Sequence, residues 1–329
     1  MASPLANGEC GPLSNSAFGT GVSTTTPDPA IFKGFGARPY DWQLTATIQR
    51  QLRDGIAVSG GYYRTWYGNF TVTDNLSVTP ADYDPFCITA PVDSRLPGGG
   101  GNQICGFYDL NPSKVGQVNN TVTFASHYGK QTEVYNGVDA NVTARFAKDG
   151  LFSGGLNIGD SYFPASAATT STSATNNCFV VDSPQQLYQC KVAPPYSARL
   201  KLQGSYPLPA DFKLSATLQS LPGPVIAATY TVTSAQVLSS LGRNLVSGSA
   251  AISLIQPASQ FADRINQVDM RLSRRFVLGR IHIDGELDIY NLFNRNSPLV
   301  INTAYGPSWL TPTQIIDGRL AKFGVQLEF

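Results

Sequence analysis

Apolar and polar side chains alternate with period two in one stretch after another of this chain. In residues 42–49, Trp42, Leu44, Ala46 and Ile48 share one face, and Gln43, Thr45, Thr47 and Gln49 share the other. That pattern is a β-strand with one apolar and one polar side. The chain then turns through Arg53-Asp54-Gly55 and resumes with Ile56, Val58, Gly60 and Tyr62 in phase. Val138, Ala140, Val142, Ala144 and Phe146 alternate with Gly137, Asp139, Asn141, Thr143 and Arg145. Past a turn at 147–150 come Phe152, Gly154, Leu156 and Ile158. The second half repeats the theme, with Ala198, Leu200, Leu202 and Gly204, then Phe212, Leu214, Ala216 and Leu218. Val268, Met270 and Leu272 follow, then Ile281, Ile283, Gly285, Leu287 and Ile289, and the chain ends on the alternating Phe323, Val325, Leu327 and Phe329. About nine strands of roughly 9–15 residues are expected.

The connections alternate in length as well. Those near 53–55, 147–150, 207–211 and 277–280 are short, whereas 71–130, 163–195, 221–263 and 294–316 are long and rich in Gly, Pro, Ser, Thr and Asn. Several structureless loops of that length are uncommon in a compact soluble domain. Short turns on one side and long loops on the other are the rule in transmembrane β-barrels, whose strands run apolar-out and polar-in. The expected fold is therefore all-β, a portion of an antiparallel transmembrane barrel with short periplasmic turns and long extracellular loops. Tyr40, Trp42, Tyr62, Tyr63, Trp66, Tyr67 and Phe70 near strand ends fit an interfacial aromatic girdle. A soluble β-sandwich would share the polar strand faces but not the one-sided long loops.

With Phe329 on the periplasmic side, nine strands place residues 1–39 outside the cell as an extracellular loop remnant, with the barrel segment over 40–329. Bacterial single-chain barrels have an even strand number. An odd count is thus the expectation for a C-terminal portion of a larger barrel. A Met1 start with neither a basic stretch nor an apolar run points the same way.

Charged residues make up only 14% of the 329, against 42% hydrophobic and 11% aromatic. The 23 basic and 22 acidic side chains leave a net charge of +1, so no global field recruits nucleic acid. No 18-residue apolar window exists to make a membrane-spanning helix. The five cysteines form no CxxC, and neither histidine, His127 or His282, stands near enough to complete a zinc pattern. Cys87 with Cys105 and Cys178 with Cys190 are candidate local disulfides, which leaves Cys10 over.

Four segments carry a family resemblance: Gly60-Gly-Tyr-Tyr-Arg-Thr-Trp-Tyr-Gly-Asn-Phe-Thr-Val-Thr-Asp-Asn75, Gln219-Ser-Leu-Pro-Gly-Pro224 with Ala227-Ala-Thr-Tyr230, Asn266-Gln-Val-Asp-Met-Arg-Leu-Ser-Arg-Arg-Phe276, and Asp288-Ile-Tyr-Asn-Leu-Phe-Asn-Arg-Asn296. In order and spacing, from about residue 30 to 329, they resemble the C-terminal barrel of TonB-dependent outer-membrane receptors, most closely the Oar-like branch. The resemblance implies a 22-stranded barrel closed by an N-terminal plug and energised through a TonB box. Outer-membrane lipid, the barrel-assembly machinery and the TonB complex would then be partners, the last through a plug and N-terminal strands that this sequence does not contain. Phe323, Val325, Leu327 and Phe329 look like the assembly signal. The implied cargo is a scarce nutrient such as an iron chelate, cobalamin or an oligosaccharide, and no cofactor is implied.

Charges on the polar face of the last strands, Asp269, Arg271, Arg275, Asp284, Glu286 and Asp288, are expected to form a lumen-lining ion-pair ladder. A four-residue turn at 277–280 would set Arg271 opposite Glu286 and Arg275 opposite His282. A substrate- or ion-conducting role is the sharper alternative. No nucleophile accompanies these carboxylates, and HExxH, GxSxG and P-loop patterns are absent, so no catalytic or metal residue is expected. Gly98-Gly-Gly-Gly101, lacking a following Lys-Ser/Thr, reads as a loop tip. Ligand contacts are expected in loops 71–130 and 221–263. Two further readings stand beside the receptor: a small self-contained pore or adhesin with a tenth strand near Gly19–Thr24, and a soluble extracellular enzyme or carbohydrate-binding protein.

Overall fold

A computed structural model describes residues 25–146, 149–160 and 174–329. Cys10, the candidate strand at 19–24 and Ala147-Lys148 lie outside the described residues. The expected strands form, in chain order: β1 (Tyr40–Arg53), β2 (Ile56–Gly68), β3 (Thr132–Phe146), β4 (Gly150–Gly159), β5 (Ser197–Leu208), β6 (Phe212–Leu221), β7 (Ile265–Leu278), β8 (Ile281–Tyr290) and β9 (Leu320–Glu328). Each pairs antiparallel with its sequence neighbour, giving one meandering sheet extended beside β3 by two short strands, Ala174–Asn176 and Lys191–Val192. The fold is thus all-β and antiparallel, a barrel wall with its long connections on one side. Among the described residues the wall is open, with β1 paired only with β2 and β9 only with β8.

Register keeps the two faces separate across the whole sheet. Arg50, Val58, Val142, Gly154, Leu202, Leu218 and Val268 are successive partners along one row. The neighbouring row runs Gln51, Ala57, Thr143, Ser153, Gln203, Thr217 and Asp269 on the opposite face. A slip of one residue at any strand would exchange the faces. Many apolar side chains stay uncovered, among them Trp42, Leu44, Ile48 (72% exposed), Val138, Leu156, Phe323 (80%) and Val325. So large a bare apolar surface is foreign to a water-soluble monomer and is what a lipid-facing wall requires.

The short turns are set by local backbone chemistry. Gly55 adopts φ +79°, and a Cβ there would meet the Arg145 carbonyl oxygen at 2.7 Å. The turn after β7 is tighter than its sequence reading. Strand pairing continues through Val277–His282 to Leu278–Ile281, leaving only Gly279 and Arg280, with Gly279 at φ +63°. Such two-residue hairpins suit the twist of paired strands. Val277 and Leu278, read as turn, are strand residues, and every partner moves by two.

The long connections are not structureless. The β2–β3 connection contains a hairpin of Tyr83–Thr89 with Gln103–Leu110 and a second pair, Thr71–Asn75 with Asn120–Phe124, onto which Thr25–Pro27 adds in parallel. The β6–β7 connection pairs Thr229–Thr233 with Ser249–Ser253 around a helix, α1 (Ser234–Leu241). Thr233 and Gln236 box its N-terminus, and Gly242 at φ +77° ends it. The β8–β9 connection pairs Pro298–Ile301 with Pro312–Ile315. Phe86, Ile88, Leu96, Phe107, Val232, Val237, Leu254 and Trp309 from these three connections pack into one buried cluster. The loops therefore make a cap with its own core. Their Gly, Pro and Asn content marks the many turns between short strands rather than an absence of structure.

Candidate functional site

The polar face of β7–β9 carries paired charges. Directly opposed residues are Arg271 with Asp288 and Arg275 with Asp284, because the turn holds two residues and not the four that would set Arg271 against Glu286 and Arg275 against His282. Arg271 Nε and Nη2 donate to the two Asp288 oxygens at 2.5 and 2.9 Å, and Nη1 reaches diagonally to Glu286 Oε1 at 2.9 Å. Arg275 donates to Asp284 in the same bidentate way, at 2.9 and 2.6 Å. Planar forked pairs of this kind fix both partners in direction as well as distance. His282 faces Glu328 of β9, with Nδ1–Oε2 at 3.8 Å.

Asp269 stands apart from these pairs. Its Oδ1 accepts from the backbone N–H of Asn291 at 2.8 Å, and Gln267 Nε2 donates to both its oxygens. Asn291 itself is 2% exposed and holds φ +48°. Its Nδ2 donates to the carbonyls of Arg295 and Asp317, and its Oδ1 accepts from the Arg295 N–H. Asn294 Oδ1 accepts from the Arg319 N–H. The Tyr-Asn-Leu-Phe-Asn segment thus braces the foot of the β8–β9 connection. Elsewhere on this face Lys201, Asn141, Asn157 and Gln219 line an open trough of about 880 Å³. Tyr135 lies over Gly137, where a Cβ would come within 2.4 Å of its hydroxyl.

The cap is clasped by side chains that sequence reading missed. Arg243, just after α1, pairs with Asp84 at 2.7 Å and with Asp109, and donates to the Asp109 and Leu110 carbonyls. Burial opposes its charge, but the hydrogen bonds it donates to Asp109 and Asp84 prevail and raise its pKa. Arg95 stacks over Trp309 at 5.1 Å and donates to the Trp309 carbonyl. Its hydrogen bonds to Asp93 hold that carboxyl far below the ordinary 3.8, and the Tyr305 hydroxyl donates another. Trp309 Nε1 donates to the Ala227 carbonyl at 2.8 Å, and Ser240 Oγ both accepts from the Cys87 N–H and donates to its carbonyl. Cys87–Cys105 closes the first hairpin, and Cys178–Cys190 closes part of the β4–β5 connection. Nearer the wall, the Tyr128 hydroxyl donates to Asp74 Oδ2 at 2.5 Å, and this bond with burial pushes the Tyr128 pKa up to about 12. Gly98-Gly-Gly-Gly101 sits in a hydrogen-bonded turn, with Gly99 N–H on the Leu96 carbonyl and Gly101 N–H on that of Ala90.

Thus the residues expected in ligand capture, 71–130 and 221–263, meet chiefly each other. A sequence signal existed for part of this: the Thr233-x-x-Gln236 box and the alternation Phe86, Ile88 and Ile104. Nothing local marks Arg243 or Trp309, whose clasping partners Asp84, Asp109 and Ala227 lie more than 80 residues away. Among the described residues no three His, Cys, Asp or Glu converge as metal ligands, and no helix is long and apolar enough to cross a membrane.

No protein-family model matches the chain, and no curated protein matches it. Solved structures with some likeness include the outer membrane transporter YddB from Escherichia coli, at 11% identity and TM-score 0.40 over 87% of this chain and 32% of that one. A Pseudomonas aeruginosa FadL homologue aligns at 10% identity and TM-score 0.25, over 88% and 66% of the two chains. The ferric-catecholate import receptor Fiu from Escherichia coli K12 aligns at 11% and 0.26, over 88% and 44%. The chain spans about a third of the length of the YddB structure.

Proposed function

We propose that the chain forms wall and outer cap of a nutrient-uptake barrel in the outer membrane, of the TonB-dependent kind and its Oar-like branch. One observation carries the reading: a single sheet bears a predominantly apolar, carboxylate-free face and an ion-paired polar face, with the described folded loops at one end. Lipid against the first face and a watery lumen against the second satisfy both. Residues 40–329 are the barrel segment in this reading. Asp288–Arg271–Glu286 and Arg275–Asp284 are the lumen ladder against which a plug would rest, and Asp269 holds the adjoining loop.

Strand direction constrains closure. β1 and β9 are separated by an even number of antiparallel steps and so run the same way. Two copies set edge to edge in one membrane would meet in parallel. An all-antiparallel closure needs an odd number of further strands, which a plug-bearing N-terminal half would supply. Phe323, Val325 and Leu327 alternate on the apolar face of β9 and the exposed Phe329 follows its end, as in an assembly signal. Transport is assigned to the complete receptor, and the cap is where cargo would first make contact.

Fractionation of producing cells tests the location, and uptake tests the activity. The protein should sediment with outer membrane and resist alkaline carbonate. Cells lacking it should lose energy-dependent uptake of one nutrient among iron chelates, cobalamin and oligosaccharides. Recovery in the soluble fraction contradicts the location, and uptake that survives collapse of the proton-motive force contradicts energised transport.

A further inference from the structure

The apolar face of the wall is not free of charge. Along β1–β9 it carries Arg50, Arg64 and Arg274, with Arg53 opposite Ile56 beyond the irregularity at the end of β1, and no carboxylate. Arg64 stacks over Trp66 at 5.9 Å. Arg274 differs in setting. It lies between Phe212 and Gly285 across the sheet, on the same face as Phe276. Its guanidinium stands 4.9 Å from the centroids of both phenyl rings. It is exposed, and among the described residues its side chain makes no hydrogen bond or ion pair. Gly285 beside it contributes no side chain, so the notch between the two rings stays open. The next residue, Arg275, donates its N–H to the Asp211 carbonyl at 3.1 Å, which places Arg274 level with the short β5–β6 turn. The guanidinium is therefore at the turn-side rim and not at mid-wall.

An unpaired cation on a lipid-facing surface is costly away from the rim and is relieved by an anion at headgroup depth. A guanidinium presents a planar fork of donors that matches a phosphate, and the rings hold it by cation–π attraction while leaving its outer edge open. We propose that Arg274, with Phe212 and Phe276, binds the phosphate of an anionic glycerophospholipid in the leaflet on the short-turn side. The two rings pack against the first acyl methylenes and Gly285 leaves room for the glycerol. The site rests on the membrane reading above.

The test uses the full protein isolated from its own membranes in a neutral maltoside detergent. Native mass spectrometry with phosphatidylglycerol, phosphatidylcholine or inorganic phosphate reads occupancy. Flotation with phosphatidylcholine vesicles and resistance of the cap to trypsin report separately on membrane affinity and folding. Wild type should retain one phosphatidylglycerol; Arg274→Gln should bind it about tenfold more weakly, whereas Arg50→Gln, on the same face, should bind as wild type does. Arg274→Lys, a charge without the fork, should fall between. If Arg274→Gln floats, resists trypsin and still retains the lipid, the site is overturned while the membrane reading survives. Equal affinity for inorganic phosphate overturns the lipid as occupant. A wild-type protein that does not float at all overturns the membrane reading and the site with it.

Discussion

The wall and the cap are built from similar residues and hold together in opposite ways. In the wall, Ile48, Leu156 and Phe323 point away from the molecule, and cohesion comes from strand ladders and from ion pairs such as Arg271–Asp288. In the cap, Val232, Val237 and Trp309 are at most 2% exposed and pack on one another, with two disulfides and the Arg243 clasp around them. Each region matches a different solvent. A surface that meets hydrocarbon needs no second layer, whereas loops that meet water must bury their own apolar side chains. A given substitution should therefore injure one region and spare the other.

The largest effect is expected at Trp309. Trp309→Ala removes the centre of the cap cluster and the bond to Ala227, and should cost about 4 kcal/mol of cap stability. Trypsin should then cut within 83–110 and 229–253 while the wall stays protected. Next comes Leu156→Arg at mid-wall, which should weaken insertion into lipid by about 3 kcal/mol. Gln203→Arg on the neighbouring strand's polar face should change it by less than about 0.5 kcal/mol. Urea titration in vesicles measures both. Arg243→Ala leaves Asp84 and Asp109 without their cation and should lower cap stability by about 2 kcal/mol, visible as an earlier thermal transition with no change in sheet signal.

Smallest are the effects of pH, and they run in both directions. Tyr128 has its pKa raised from 10.0 to about 12 by Asp74 and burial. The stability it contributes is complete below pH 10 and is lost as pH rises toward 12. Asp93, held low by Arg95, contributes stability that is complete above 3.8 and is lost as pH falls through its depressed folded value. Hydrogen exchange should loosen near Tyr128 in alkali and near Asp93 in acid. Tyr128→Phe should abolish the alkaline response alone.

The same contrast explains what could be read from sequence. Wall strands announce themselves because alternation over ten or more residues has no cheaper explanation, as in Trp42-x-Leu44-x-Ala46-x-Ile48. Their exact pairing did not, because Val277-Leu278-Gly279-Arg280 reads as a four-residue turn until the sheet shows Leu278 still paired with Ile281. Asp269, legible as a lumen charge, turned out to hold the Asn291 N–H, a partner set by the local backbone shape at Asn291. The cap was the least legible, since its core is assembled from single residues, Phe86, Val237 and Trp309, drawn from three distant connections. Short strands of about five residues carry too little periodicity to stand out.

The most direct test is a nitroxide scan along β5 of the membrane-embedded protein, with labels in turn at positions 200, 201, 202 and 203. Collision with oxygen, which concentrates in lipid, should be high at 200 and 202. Collision with a water-soluble nickel chelate should be high at 201 and 203. Equal accessibility at all four positions, or protection of 200 and 202 from both reagents, would contradict the two-solvent wall.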